Sequence, residues 1–261
     1  MKQGWAVVTG ASGGIGEEIA RALARRGWNL ILSARSREPM ELLAQEFHDS
    51  HGVEVAVLPR DLARPEGPAQ LYREVQGLGH SVEILVNNAG FGDFGSYLEL
   101  DATRELEMIQ LNITTLTDLT RRFAGVMADR GGGRILNVAS TAAFQPGPLM
   151  TVYYATKAYV LSYSEGLRNE LAEHNITVTT LCPGPTRSNF HEAAGVADSF
   201  LLKTLPMGES RPVAELGVDA MLAGKGVAIP GLLNRMGALG GRFVPRGWLP
   251  AIVRKVQEGR R

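Results

Sequence analysis

Short apolar runs alternate along the chain with longer stretches whose apolar positions recur every three or four residues. Trp5-Ala6-Val7-Val8 reads as a buried strand. Ile15, Ile19 and Leu23 then fall at i, i+4 and i+8, one face of a helix over 14–26. The same alternation continues downstream. Strands are expected at 29–32, 53–57, 82–86, 134–138 and 176–181, and helices at 41–49, 68–78, 101–129 and 153–173. Strands that alternate with helices imply βαβ units and a parallel sheet. Right-handed crossovers then place helices on both faces. No linker, repeat or low-complexity stretch divides residues 1–261, so one α/β domain with a doubly wound parallel sheet is expected.

The turn between the first strand and first helix is Thr9-Gly10-Ala11-Ser12-Gly13-Gly14-Ile15-Gly16. Glycines let the backbone approach a ligand and adopt positive φ. The helix start exposes unpaired N–H groups and partial positive charge, which suits a pyrophosphate. The glycines at 10, 14 and 16 depart from the ordinary dinucleotide spacing, so by itself the segment also reads as a plain tight turn. Further on, Tyr153 and Lys157 stand at i and i+4, on one helix face. A free tyrosine has a pKa of about 10. A neighbouring ammonium stabilises its phenolate and so favours proton exchange near neutral pH.

Taken together, these segments resemble the short-chain dehydrogenases/reductases. The resemblance rests on Thr9 to Gly16, Asp61-Leu62, Asn87-Asn88-Ala89-Gly90, Asn112, Ser140, Tyr153-x-x-x-Lys157 and Pro183-Gly184, in that order. It runs from residue 5 to about residue 190, with a plausible family C-terminus beyond. It implies a Rossmann-like fold and hydride transfer between a carbonyl and a secondary alcohol. Tyr153 is then the proton donor or acceptor, and Lys157 lowers its pKa and holds the nicotinamide ribose. Ser140 bonds the substrate oxygen, and Asn112 anchors a relay water where helix 101–129 is interrupted. Gly10, Ser12, Gly14, Ile15 and Gly16 cradle the cofactor phosphates. Asp61 and Leu62 lie near the adenine; Asn88, Ala89 and Gly90 lie on the adenosine side. Pro183, Gly184 and Thr186 contact the carboxamide or a phosphate. Asn87 is read as structural, satisfying backbone groups between strands. Tyr154, at i and i+3 from Lys157, is read as packing; Tyr159 and Tyr163 as core or interface.

The second strand ends in Ser33-Ala34-Arg35-Ser36-Arg37, with no acid before Glu38. A carboxylate there holds the ribose 2′-OH of NAD, whereas arginine suits the 2′-phosphate of NADP. NADP(H) is therefore the expected cofactor, with Arg35 as its main discriminator and Ser33, Ser36 and Arg37 as helpers. Gly13 occupies the place where many NADP-preferring relatives carry a basic residue. The other reading of Arg35 is a solvated arginine at the start of a helix. Reduction is the expected direction, by analogy with the family's use of NADPH. A non-catalytic NADP(H) sensor is the alternative, though it has no need of Ser140, Tyr153 and Lys157.

Composition narrows the setting. The 261 residues carry 27 basic and 27 acidic side chains, which gives no reason to expect nucleic acid. Cys182 is the single cysteine and is expected to be a buried, inert thiol; the five histidines are scattered, so no metal site is expected. No apolar run reaches a membrane span, and the first residues have no signal-peptide pattern, so a cytoplasmic location is expected. Residues 188–211 resemble a substrate lid. Phe190, Phe200, Leu201, Leu202, Leu205 and Met207, with Phe144, Leu149 and Met150, suggest an apolar or acyl-type substrate or simply a packed-down loop. Residues 231–261 form a basic amphipathic C-terminal extension, with seven basic residues against Glu258. Its stripes are Leu232, Met236, Leu239, Phe243 and then Leu249, Ile252, Val253, Val256. These either pack on the body or a second subunit, or lie on an anionic membrane surface. Helices 101–129 and 153–173 resemble the family's dimer-forming pair, so a homodimer or homotetramer is expected.

Overall fold

The computed structural model describes residues 4–187, 207–241 and 244–258. Seven parallel strands form one sheet: β1 (Trp5–Thr9), β2 (Asn29–Ser33), β3 (Val55–Val57), β4 (Val82–Asn87), β5 (Gly133–Val138), β6 (Ile176–Leu181) and β7 (Val227–Ala228). Their spatial order is β3-β2-β1-β4-β5-β6-β7. Register runs Trp5 opposite Asn29 through Thr9 opposite Ser33, and Val7 opposite Leu85. The helices are α1 (Gly14–Ala24), α2 (Arg37–His51), α3 (Gly67–Gly77), α4 (Ala102–Ile109), α5 (Leu116–Asp129), α6 (Thr151–Glu170), α7 (Ser210–Leu222), α8 (Leu232–Gly240) and α9 (Leu249–Glu258).

The two-residue period of a strand sorts the core into two layers. Ala6, Val8, Leu30, Leu32, Val86 and Leu136 face α1 and α7, where Ile19, Leu23, Val218 and Met221 meet them. Val7, Ile31, Leu85 and Ile135 face the other way, toward Leu71, Val75, Leu119, Phe123 and Met127 of α3 and α5. Nearly continuous apolar strands are the signature of a sheet covered on both faces.

Several boundaries differ from the expected ones. The strand at 53–57 shortens to Val55–Val57, and the helix at 41–49 extends to Arg37–His51, ending on Gly52 in the left-handed region. The 101–129 stretch is two helices joined by a π-helical turn, Gln110–Thr115. Helix α7 and strand β7 add to the elements expected from the sequence pattern. The run Val213, Ala214, Val218, Met221 carries a helical period, whereas β7 is too short to leave a pattern. The expected lid, 188–211, gives way to α7 at Ser210; residues 188–206, with Phe190, Phe200, Leu201, Leu202 and Leu205, lie outside the described residues, as do Phe243 and the side chain of Leu239. Asn87 is buried as expected but does not serve the backbone. Its Nδ2 donates to Thr120 Oγ1 (2.9 Å) and Asn137 Oδ1 (2.9 Å), and Asn137 Nδ2 donates to Ser164 Oγ (2.9 Å). The chain thus ties two strands and two helices together through side chains.

Candidate active site

The order of connections reverses between β1 and β4, so a crevice opens beyond their carboxyl ends, where open α/β sheets bind ligands. The glycine-rich turn leaves β1 there. Gly10 and Gly14 have φ of 67° and 59°, the left-handed region. At Gly16 a Cβ would stand 2.2 Å from the Gly10 carbonyl oxygen and 2.3 Å from Asn88 Nδ2, so no side chain fits. Helix α1 starts after Gly13 with no side-chain cap, so its first N–H groups are available to an anion. Ser12 and Ile15 flank those donors.

Asn88 holds this turn. Its Nδ2 donates to the carbonyls of Thr9 (3.0 Å) and Gly10 (3.2 Å). Thr9, which the motif names only as a turn residue, is the reciprocal partner. Its Oγ1 donates to Val86 O and accepts from the backbone N–H of Asn88 (3.0 Å) and Ala89 (3.1 Å). The Thr9–Asn88 pair clamps the two strand ends at the crevice. Arg35 is exposed just past β2; Ser33 is fully buried, and Arg37 pairs with Glu41 along α2. Asp61 accepts from the Ala63 N–H, and Leu62 is buried with its carbonyl accepting from Thr115 Oγ1 at 2.7 Å.

The π turn explains the position of Asn112. One extra residue per turn loosens the helix there, and Asn112 is buried within it. Its Oδ1 accepts from Phe91 N–H (3.2 Å), and its Nδ2 donates to Phe91 O (2.9 Å) and Thr156 Oγ1 (3.1 Å). A Cβ at Gly90 would lie 2.9 Å from Asn112 Oδ1 and 3.5 Å from Lys157 Nζ, so Gly90 sits between the two.

Ser140 lies two residues past β5 and caps a 3-10 turn, Thr141–Phe144; its Oγ accepts from Ala142 N–H. The Ser140 hydroxyl acts on the Tyr153 phenol and favours its ionised form. Lys157, one turn on in α6, is buried; its Nζ donates to Val138 O at 2.9 Å and stands 5.8 Å from the centre of the Tyr153 ring. Burial pulls its pKa down to about 8. Tyr153 is half-buried, and the surrounding protein desolvates its hydroxyl. Desolvation therefore pushes its pKa above the ordinary tyrosine value, and the Ser140 hydroxyl offsets only part of that. The opposing pull that burial outweighs comes from Ser140, and the expected lowering by Lys157 is not among the causes of the shift. The hydroxyl is protonated at neutral pH, which is the state a proton donor needs.

Two residues from beyond the motif region complete the surroundings. Asn234 of α8 lies against Gly184, whose Cβ would stand 2.5 Å from Asn234 Oδ1. Gln257 of α9 donates from Nε2 to Tyr154 Oη (3.1 Å), and Val253 packs with Tyr154 and Ala142. Tyr154 stands edge-on to Tyr153 at 6.1 Å and fills the space beside Gly147, which matches the packing role. Neither Asn234 nor Gln257 carried any sequence signal. Pro183 O accepts from Thr141 N–H, and the buried Thr186 hydroxyl bonds Gly184 O. Cys182 is buried, its thiol pushed up to about 12 by burial. Among the described residues no group of three or more His, Cys, Asp or Glu gathers as metal ligands.

A family model described as short chain dehydrogenase matches residues 4–197. The chain belongs to that family. This short-chain dehydrogenase is 38% identical over 186 residues to a very-long-chain 3-oxoacyl-CoA reductase of Anas platyrhynchos, a match covering 69% of this chain and 58% of the relative. It therefore spans less than two thirds of that relative's length. A 7beta-hydroxysteroid dehydrogenase of Clostridium sardiniense is 32% identical over 182 residues, 70% of this chain and 69% of that one. Among solved structures, a short-chain dehydrogenase from Sphingobium yanoikuyae in complex with NADPH superposes with a TM-score of 0.83 at 34% identity, covering 92% of this chain and 93% of that one.

Proposed function

We propose that this short-chain dehydrogenase is an NADP(H)-dependent oxidoreductase that interconverts an apolar or acyl-type carbonyl compound and its secondary alcohol, in the direction of reduction. The grouping of Ser140, Tyr153 and buried Lys157, whose Nζ lies 5.8 Å from the Tyr153 ring centre, carries this reading. The uncapped α1 N-terminus and the glycine turn fit a pyrophosphate, and exposed Arg35 fits a 2′-phosphate. We assign Asp61, Leu62, Ala89, Gly90, Pro183, Gly184 and Thr186 to cofactor binding at the same crevice. When bound, the nicotinamide supplies or accepts the hydride. Ser140 Oγ holds the substrate oxygen, and Tyr153 Oη delivers a proton to it as negative charge develops. Lys157 keeps a positive charge near that phenol, and Asn112 fixes the crevice floor for a proton-relay water.

The names of the two relatives, an acyl-CoA reductase and a steroid dehydrogenase, support an apolar substrate. Phe144 and Met150, partly buried around the 3-10 turn and α6, supply apolar surface near Tyr153. We assign assembly as a homodimer or homotetramer to α4, α5 and α6; Leu106, Ile109 and Tyr159 are exposed on that side. The setting we propose is cytoplasmic, with peripheral contact at a membrane.

The test is NADPH consumption with ketones, aldehydes and 3-oxoacyl thioesters, NADH in parallel, and Tyr153→Phe as control. Turnover that favours NADPH and vanishes in the variant supports the proposal. Tight NADPH binding with no turnover across the panel favours a non-catalytic sensor instead.

A further inference from the structure

The C-terminal helices leave a large apolar surface uncovered. Leu232, Leu233, Met236 and Trp248 each expose between 61% and 76% of their area, and Ile252 and Val256 each expose 46%. These are not loose ends. Val253 and Leu249 on the inner side of α9 are buried, and Gln257 is bonded to Tyr154. Each helix therefore has one face seated on the body and an apolar face turned outward. The spacing agrees: Trp248, Ile252 and Val256 follow at i, i+4 and i+8, and Leu232 and Met236 at i and i+4.

Both helices rest on one short turn. Val253 packs on Ala142, and a Cβ at Gly241, just past α8, would lie 3.6 Å from Phe144 O. That turn begins at Ser140. The outward faces therefore flank the residues assigned to catalysis.

Basic side chains border this surface. Arg235, Arg246, Arg254 and Lys255 are exposed, and Glu258, paired with Arg254, is the only acid in residues 231–261. This charge discriminates between partners. A twofold contact with a second copy would lay the same basic surface against itself. An anionic bilayer offers opposite charge and an apolar interior together. No helix among the described residues is long and apolar enough to cross a membrane, so the contact is peripheral.

We propose that α8 and α9 form a docking surface for an anionic phospholipid bilayer, which turns the Ser140–Tyr153 side of the protein toward the membrane. A carbonyl substrate dissolved in the lipid then reaches the site without crossing bulk water. The bilayer contact stands on the exposed faces and their charge; only its use for substrate delivery rests on the apolar-substrate reading above.

The test is co-sedimentation of the full chain, without substrate, with vesicles of phosphatidylcholine alone or with a third of phosphatidylglycerol. At least tenfold stronger partitioning onto the anionic vesicles is expected. Each basic residue near such a surface is worth about fivefold in partitioning. The pair Arg246→Glu and Lys255→Glu should therefore lose more than tenfold, and so should Leu233→Ser with Trp248→Ser. NADPH binding and thermal melting of both double variants should stay at wild-type values, because all four positions are exposed. Equal binding to both vesicle types, or no binding to either, overturns the proposal. So does a wild-type oligomer that the Leu233→Ser, Trp248→Ser variant dissociates in sedimentation velocity, since a second copy would then cover the surface. Turnover of a water-soluble ketone, measured separately, decides the catalytic reading whatever the vesicles show.

Discussion

Replacing Lys157 by Met should make the cofactor-free protein more stable while destroying its activity. Lys157 is buried, and burial lowers its pKa from 10.5 to about 8. Below pH 8 the folded chain thus holds a charge that the unfolded chain solvates better, at a cost of about 3 kcal/mol. Methionine has a similar length and no charge. It loses the 2.9 Å bond to Val138 O and leaves that carbonyl without this donor, which costs about 1 kcal/mol. The net gain at pH 7 is about 2 kcal/mol, or a rise of about 4 °C in melting temperature for a chain of this size. The pH dependence separates this cause from others. Between pH 8 and 10.5 the unfolded wild type binds more protons at Lys157 than the folded protein does, so wild-type stability rises with pH there. The advantage of Lys157→Met should therefore shrink above pH 8 and be nearly gone by pH 10. The buried Cys182 thiol titrates with the opposite sign and is coupled to Lys157, but with its pKa at about 12 it stays protonated in both folded proteins through pH 10 and so changes the difference little. The assay is urea unfolding of both proteins at pH 7, 8, 9 and 10. A variant less stable at pH 7, or a difference independent of pH, refutes the reasoning. Turnover should fall at least about a hundredfold, as for other fixed catalytic charges.

Three further outcomes are expected. Arg35→Glu should reduce the preference for NADPH over NADH by about 10- to 100-fold, because a charge-assisted bond of about 1.5–3 kcal/mol is replaced by repulsion; the ratio of kcat/KM for the two cofactors measures it. Gly16→Ala should weaken NADPH binding at least tenfold and cost about 1–3 kcal/mol in urea unfolding, since its Cβ would lie 2.2 Å from a backbone oxygen that cannot yield without opening the turn. Tyr154→Phe should keep kcat near wild type but lose about 1 kcal/mol of stability through the Gln257 bond, in contrast to the inactive Tyr153→Phe; comparable loss of kcat in both would refute the division of roles between the two tyrosines.

Much of this molecule is legible locally. A strand covered on both faces must be apolar at consecutive positions, so β1, β2, β4 and β5 announce themselves in sequence. The glycine turn is visible because backbone geometry restricts positions 10, 14 and 16 to glycine. Tyr153 and Lys157 are visible because four residues make about one helical turn. Other features arise only when distant segments meet. Thr9 and Asn88 are far apart in sequence, yet their bonds build the crevice wall. Burial of the Tyr153 hydroxyl depends on how α6 sits against neighbouring elements, so desolvation raises its pKa although the Lys157 spacing suggested a lowered one. Gln257 and Asn234 reach the site by chain return, which no local period encodes. The tail shows most plainly what spacing determines and what it leaves open. Its periodicity determines that apolar stripes exist. Packing alone decides that Leu249 and Val253 face inward while Leu232, Met236, Ile252 and Val256 face solvent, because which side of a helix is covered depends on what the rest of the fold places against it.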